Sequence, residues 1–80
     1  MHYVYLLRSI NHPDQTYVGY TTNIAQRLDE HNSGKSTHTQ KYSPWEMVIY
    51  TGFMGKEKAI AFEGYLKSGS GRAFSAKHFK

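Results

Sequence analysis

Eighty residues with a net charge of +4 and no cysteine allow one small domain, and exclude a disulfide framework and a thiolate metal centre. The apolar runs are too short to cross a bilayer, and the amino-terminal stretch lacks the charged start and cleavage-like end of a secretory leader. The expectation is a single domain over residues 1–80, cytoplasmic and away from the membrane.

His2 to Arg8 alternates Val4 and Leu6 on one face with Tyr3, Tyr5 and Leu7 on the other. Both faces are apolar, which suits a strand covered on two sides. Asn11-His12-Pro13-Asp14 is turn chemistry, and Gln15 to Tyr20 returns as the second strand of an antiparallel hairpin. A register with Tyr5 opposite Tyr17 sets Tyr3 opposite Gly19 and puts the tyrosines on one face. Gly19, lacking a side chain, lets another element or a ligand approach its backbone closely.

A helix follows directly, capped by Thr22 or Asn23, with Gly34 as its stop. At about 100° per residue, Ile24 and Leu28 share an arc whose rim carries Arg27 and His31. Two cation-capable side chains beside a strand end bearing Tyr17 make a candidate phosphate-handling corner. A solvated helix rim is the plainer reading of the same spacing. Ser33 to Pro44 is a polar, basic connection, and Trp45 to Phe53 is rich in strand formers.

Gly55 to Ser68 reads as a second helix, with Glu63 on the same side as Ala59, Phe62 and Leu66. A carboxylate there is costly unless paired, protonated or bound to a metal; a salt bridge to Arg27 or to a lysine and a catalytic or metal-binding role are weighed equally. Gly64 beside it costs roughly 1 kcal/mol of helix propensity against alanine, which close packing would explain. The tail turns at Ser68-Gly69-Ser70-Gly71 and resumes as a short helix capped near Ser70, with Arg72 beside a start that suits a phosphate.

The charge is unevenly spread. No acid lies between Glu30 and Glu46, where Lys35 and Lys41 fall, and none follows Glu63, where Lys67, Arg72, Lys77 and Lys80 do. Such stretches attract polyanions, nucleic acid first among them, so Lys35, Lys41, Lys67 and Arg72 are candidate nucleic-acid contacts. Seven tyrosines, four phenylalanines and a tryptophan offer surfaces for base stacking, although many must serve the core.

Tyr3-Val4-Tyr5 followed by Tyr17-Val18-Gly19, and then Arg27, His31 and Glu63 in order, resembles the signature of the GIY-YIG nuclease superfamily. The run Lys67 to Phe74 is similar to the ending of its small stand-alone bacterial members, the UPF0213 (YhbQ-like) group. The resemblance implies an α+β fold, an α/β sandwich in which a three-stranded antiparallel sheet is flanked by helices in the order β-β-α-β-α-(α). It implies metal-dependent hydrolysis of a DNA phosphodiester, in structured or single-stranded DNA, in repair or processing. Glu63 would hold one Mg²⁺ or Mn²⁺ ion, Arg27 would bind a phosphate oxygen, and Tyr17 would orient or deprotonate the attacking water. Tyr5 would stand beside Tyr17, with His31 tuning the site.

Two positions depart from the pattern. Tyr3 replaces the glycine of the first motif, and no asparagine follows Asn32, where many active members carry one; Ser75 and His78 are the substitutes considered. Specificity is expected to be low, or to come from a protein partner or from DNA structure. The alternatives are a catalytically weak or inactive nucleic-acid-binding module of the same fold and a protein-docking domain.

Overall fold

A strand apolar on both faces belongs in the middle of a sheet, and β1 (His2–Ser9) is there, between β2 (Thr16–Thr21) and β3 (Trp45–Phe53) in the order β2-β1-β3. Both pairings are antiparallel. The computed structural model describes residues 1–35, 37 and 39–79. Between β2 and β3 run α1 (Ile24–Asn32) and a 3-10 turn (Gln40–Tyr42); α2 (Lys56–Lys67) and α3 (Gly69–His78) follow β3. The expected α+β arrangement, a three-stranded antiparallel sheet flanked by helices, is present. None of the helices is long and apolar enough to cross a membrane among the described residues.

The alternation in β1 divides the core in two. Val4 packs with Ala59 and Leu66 of α2, joined by Val18, Tyr20, Phe53 and Phe62. Tyr5 and Leu7 pack on the other face with Trp45, and Ile24 and Leu28 of α1 close over them. Each face buries several large side chains, each worth roughly 1.5–3 kcal/mol, so neither helical layer is dispensable to so small a domain. Between Leu6 and Leu7 the β1–β3 register shifts, leaving Val48 as an extra residue in β3. The bulge keeps Tyr5 opposite Tyr50 while bringing Leu7 opposite Met47.

The hairpin register differs from expectation by two residues: Tyr5 faces Gly19, Leu7 faces Tyr17, and Tyr3 faces Thr21. A shift of two preserves side-chain parity, so Tyr3, Tyr5 and Tyr17 still share a face. The Tyr5 ring lies across Gly19, where an added Cβ would collide with its hydroxyl. Gly19 therefore serves a close approach, and the approaching group is Tyr5.

Asn23 caps α1, its side chain accepting from the Gln26 amide at 3.1 Å. Past the helix, Gly34 takes φ +81° while the Lys35 amide donates to the Glu30 carbonyl at 3.1 Å, the Schellman arrangement. The cap of α3 is Ser68, which accepts from the Gly71 amide, rather than Ser70. Gly71 is the glycine that permits close packing, because a Cβ there would strike the Tyr65 carbonyl and the Leu66 backbone. Gly64 faces open space, so packing does not account for it.

Candidate active site

The site is built around the edge strand β2. By crossing Gly19, the Tyr5 phenol reaches from the central strand toward α1, where its Oη lies 2.9 Å from His31 Nε2. His31 is 1% exposed and Tyr5 2%, so this hydrogen bond is shielded from water. Tyr17 joins them from β2, its ring centroid 4.9 Å from that of His31 and 6.3 Å from that of Tyr5. Unlike those two, Tyr17 is only half-buried; it is the member of the trio that a substrate can reach.

The second imidazole nitrogen is also held. His31 Nδ1 lies 2.7 Å from the hydroxyl of Thr39, itself 1% exposed. The Thr39 carbonyl accepts from the Trp45 indole N–H at 2.8 Å. Asn32, next to His31, grips the Trp45 backbone twice, accepting from its amide at 2.6 Å and donating to its carbonyl at 3.1 Å. The carboxyl end of α1, the loop and the start of β3 thus form one frame around the histidine.

His31 is consequently not the rim cation that helical spacing predicted. Burial first, and then the neighbouring Arg27 guanidinium, hold its pKa below the ordinary 6.5, against a smaller opposing pull from Glu30. It is a neutral imidazole at physiological pH. Arg27 does remain at the surface, 43% exposed, with Glu30 at 3.7 Å as its ion-pair partner. Such an exposed i,i+3 pair is worth a few tenths of a kcal/mol at most, so the guanidinium is readily available to a phosphate.

Glu63 approaches from α2, on the opposite face of the sheet. Its side chain is 20% exposed and pairs with Lys67 at 3.3 Å, which answers the anomaly of a carboxylate beside the apolar stripe. The partner is the lysine one turn on, not Arg27. The Tyr5 phenol is pushed above its ordinary 10.0 by burial and by Tyr17; Arg27 pulls it down, and Glu63 and Glu30 raise it. Among the described residues no three acidic or histidine side chains gather into a metal cage. A hard divalent cation at Glu63 would have one protein carboxylate and would complete its shell with water and phosphate oxygens, a donor set that suits Mg²⁺.

The candidate nucleic-acid contacts separate into two groups. Lys67 and Arg72 line a cavity of about 490 Å³ beside β2, together with Tyr17, Val18, Leu66 and Ser75. Lys35 borders a shallower depression that it shares with Asp29 and Glu30. Lys41 is exposed in the 3-10 turn, its ammonium 5.4 Å from the Tyr42 ring centroid. Of the two substitutes considered for the missing asparagine, Ser75 is buried and His78 exposed. The Ser75 hydroxyl has no hydrogen-bond partner among the described residues.

Sequence reasoning missed Thr39, Trp45 and Asn32 as parts of the site. Their signal was absent because a threonine in a polar loop and an asparagine at a helix end are ordinary there. Only the folded loop brings Thr39 to the histidine.

Comparison with known proteins gives a consistent result. The profile of the family described as "GIY-YIG catalytic domain" matches residues 1–77. The solution structure of the UPF0213 protein BH0048 from Bacillus halodurans superposes with a TM-score of 0.56 at 32% identity, over 95% of this chain and 82% of that one. A UPF0213 protein of Streptococcus pneumoniae is 42% identical over 52 residues, 64% of this chain and 52% of that protein. The structure-specific endonuclease subunit slx1 of Talaromyces marneffei is 40% identical over 65 residues, covering 74% of this chain. The match spans only 17% of the fungal protein.

Proposed function

The chain belongs to the GIY-YIG catalytic-domain family, of the UPF0213-like kind, and from that premise we propose that it is a nuclease hydrolysing phosphodiester bonds in DNA. The observation that carries this reading is the convergence on Tyr5. A buried tyrosine–histidine pair and a reachable Tyr17 stand together on the face covered by α1, the helix that also carries the exposed Arg27. A core built for packing alone does not call for a histidine hydrogen-bonded at both ring nitrogens beside two tyrosines.

In this reading Arg27 leaves its weak pairing with Glu30 and binds a non-bridging phosphate oxygen, where charge accumulates as the water oxygen attacks phosphorus. Tyr17 orients that water and accepts its proton, a role suited to the most accessible of the three rings. Tyr5 and His31 hold Tyr17 from behind and exclude bulk water. Glu63 would bind a single Mg²⁺ or Mn²⁺ ion, which when bound supplies charge stabilisation on the phosphate and the leaving oxygen. Lys67 and Arg72, flanking the cavity beside Tyr17, receive the strand on either side of the cut. Specificity for branched or single-stranded DNA, in repair or processing, would come from DNA shape or from a protein partner.

The test compares wild type with Glu63→Gln on labelled single-stranded, duplex and branched DNA, with Mg²⁺ or Mn²⁺ and with neither. Cleavage by wild type alone, only with metal, and unchanged DNA binding by the variant are expected. Equal cleavage by Glu63→Gln would refute the assignment of the carboxylate. Binding without cleavage by either protein would favour the inactive module, a reading supported by the lack of an asparagine after Asn32.

A further inference from the structure

We propose that Thr39 is a positioning residue whose hydroxyl fixes His31 as the Nδ1–H tautomer, and so makes Tyr5 a hydrogen-bond acceptor toward the rest of the site. The relevance to cleavage rests on the nuclease reading; the geometry does not.

The three groups form one buried line: Tyr5 Oη, 2.9 Å to His31 Nε2, and His31 Nδ1, 2.7 Å to Thr39 Oγ1. All three residues are at most 2% exposed, so exchange with water does not blur their roles. A neutral imidazole carries one N–H and one lone pair, which leaves two arrangements. Either Tyr5 donates to Nε2 while Nδ1–H donates to Thr39, or Thr39 donates to Nδ1 while Nε2–H donates to Tyr5.

Donor and acceptor strengths separate the two. A phenol is a far stronger acid than an aliphatic alcohol, hence the better donor, whereas the alcohol oxygen is the better acceptor. The first arrangement places each group in its stronger role. The tautomer of a histidine is set by the bond that its other nitrogen makes, and here that partner is Thr39, whose carbonyl is held in turn by the Trp45 indole.

The consequence falls on Tyr5. With its hydrogen engaged by His31, its oxygen can only accept from any further group, so a water or hydroxyl reaching it must donate. In the opposite tautomer Tyr5 would accept from Nε2–H and turn its own hydrogen toward the rest of the site. The groups facing His31 are Tyr5 from β1, Tyr17 from β2, Arg27 and Glu30 from α1, and Thr39 from the loop. Among the described residues, the partner at Nδ1 is the Thr39 hydroxyl.

The experiment reads the imidazole nitrogens by long-range proton–nitrogen NMR of histidine-labelled protein at pH 7.5, without substrate or metal. Wild type should show His31 as a single neutral Nδ1–H form. Thr39→Val, close in shape, should lose that preference and cut DNA roughly 10–100-fold more slowly, as when a functional histidine loses its outer partner. Thr39→Ser should restore both. An Nε2–H or averaged form in wild type, or an unchanged tautomer in Thr39→Val, overturns the proposal. Should Thr39→Val fail to fold, the wild-type spectrum still decides. Because that spectrum needs no catalysis, absence of cleavage would count against the nuclease reading alone.

Discussion

At the scale of single residues, the decisive feature is that His31 is neutral and hydrogen-bonded at both ring nitrogens. Burial and Arg27 hold its pKa below 6.5 in the folded protein, while the unfolded chain returns it to about that value. Below pH 6.5 the unfolded state therefore binds the proton more readily than the folded one. The stability that His31 contributes is present above pH 6.5 and is lost as pH falls through the folded value. Chemical denaturation of wild type should show its midpoint dropping from pH 7.5 to pH 5, and His31→Gln should flatten that dependence. Spacing along α1 correctly placed His31 beside Arg27 and near Tyr17. It could not reveal burial, because that depends on Thr39 reaching Nδ1 and on Trp45 holding Thr39 and Asn32 in place. Glu63 was read better: an acid among Ala59, Phe62 and Leu66 marks a constrained position, and the structure supplies Lys67 as the pairing that spacing allowed.

The elements show why the hairpin had the right faces and the wrong register. Alternation fixes which side each residue takes but is indifferent to a slip of two, and turn residues alone do not set the length of the connection. Tyr5 selects the register, since its ring needs a residue without a Cβ opposite it and β2 offers only Gly19. Gly19→Ala is thus expected to push the phenol away from His31, destabilising the domain by about 1–3 kcal/mol as overpacking does. Thermal unfolding would record the loss, and the His31 NMR signals would shift. A full melting curve with unshifted signals would show that the ring passes β2 some other way. The α2–α3 junction carries the same lesson. Glycine and serine clearly marked a turn, but which serine caps α3 was decided by packing, with Gly71 pressed against the Tyr65 carbonyl.

Across the whole molecule, the excess of positive charge is legible in the sequence, but its grouping is not. Lys67 pairs with Glu63, and Arg72 lines the cavity beside Tyr17 with one acid, Asp14, whereas Lys35 borders its depression with two, Asp29 and Glu30. Binding of single-stranded DNA measured over a series of salt concentrations should therefore lose about one unit of log–log slope in Arg72→Gln, and much less in Lys35→Gln. Equal slopes for the two variants would mean that the strand does not pass the cavity. The sheet order β2-β1-β3 also bears on the time course of folding. Tyr5, Tyr17 and Gly19 lie in a hairpin of neighbouring residues, whereas β1 meets β3 only by closing a long loop, and Glu63 follows β3. Local pairs close sooner and at lower entropic cost than distant ones. Rate analysis should find substitutions in β1 and β2 slowing folding, with those around Glu63 acting mainly on unfolding. The reverse pattern would place the nucleus in α2. Under the nuclease reading, the tyrosine face would be assembled while the chain still lacks its carboxylate, so the capacity to cut would arise late in folding.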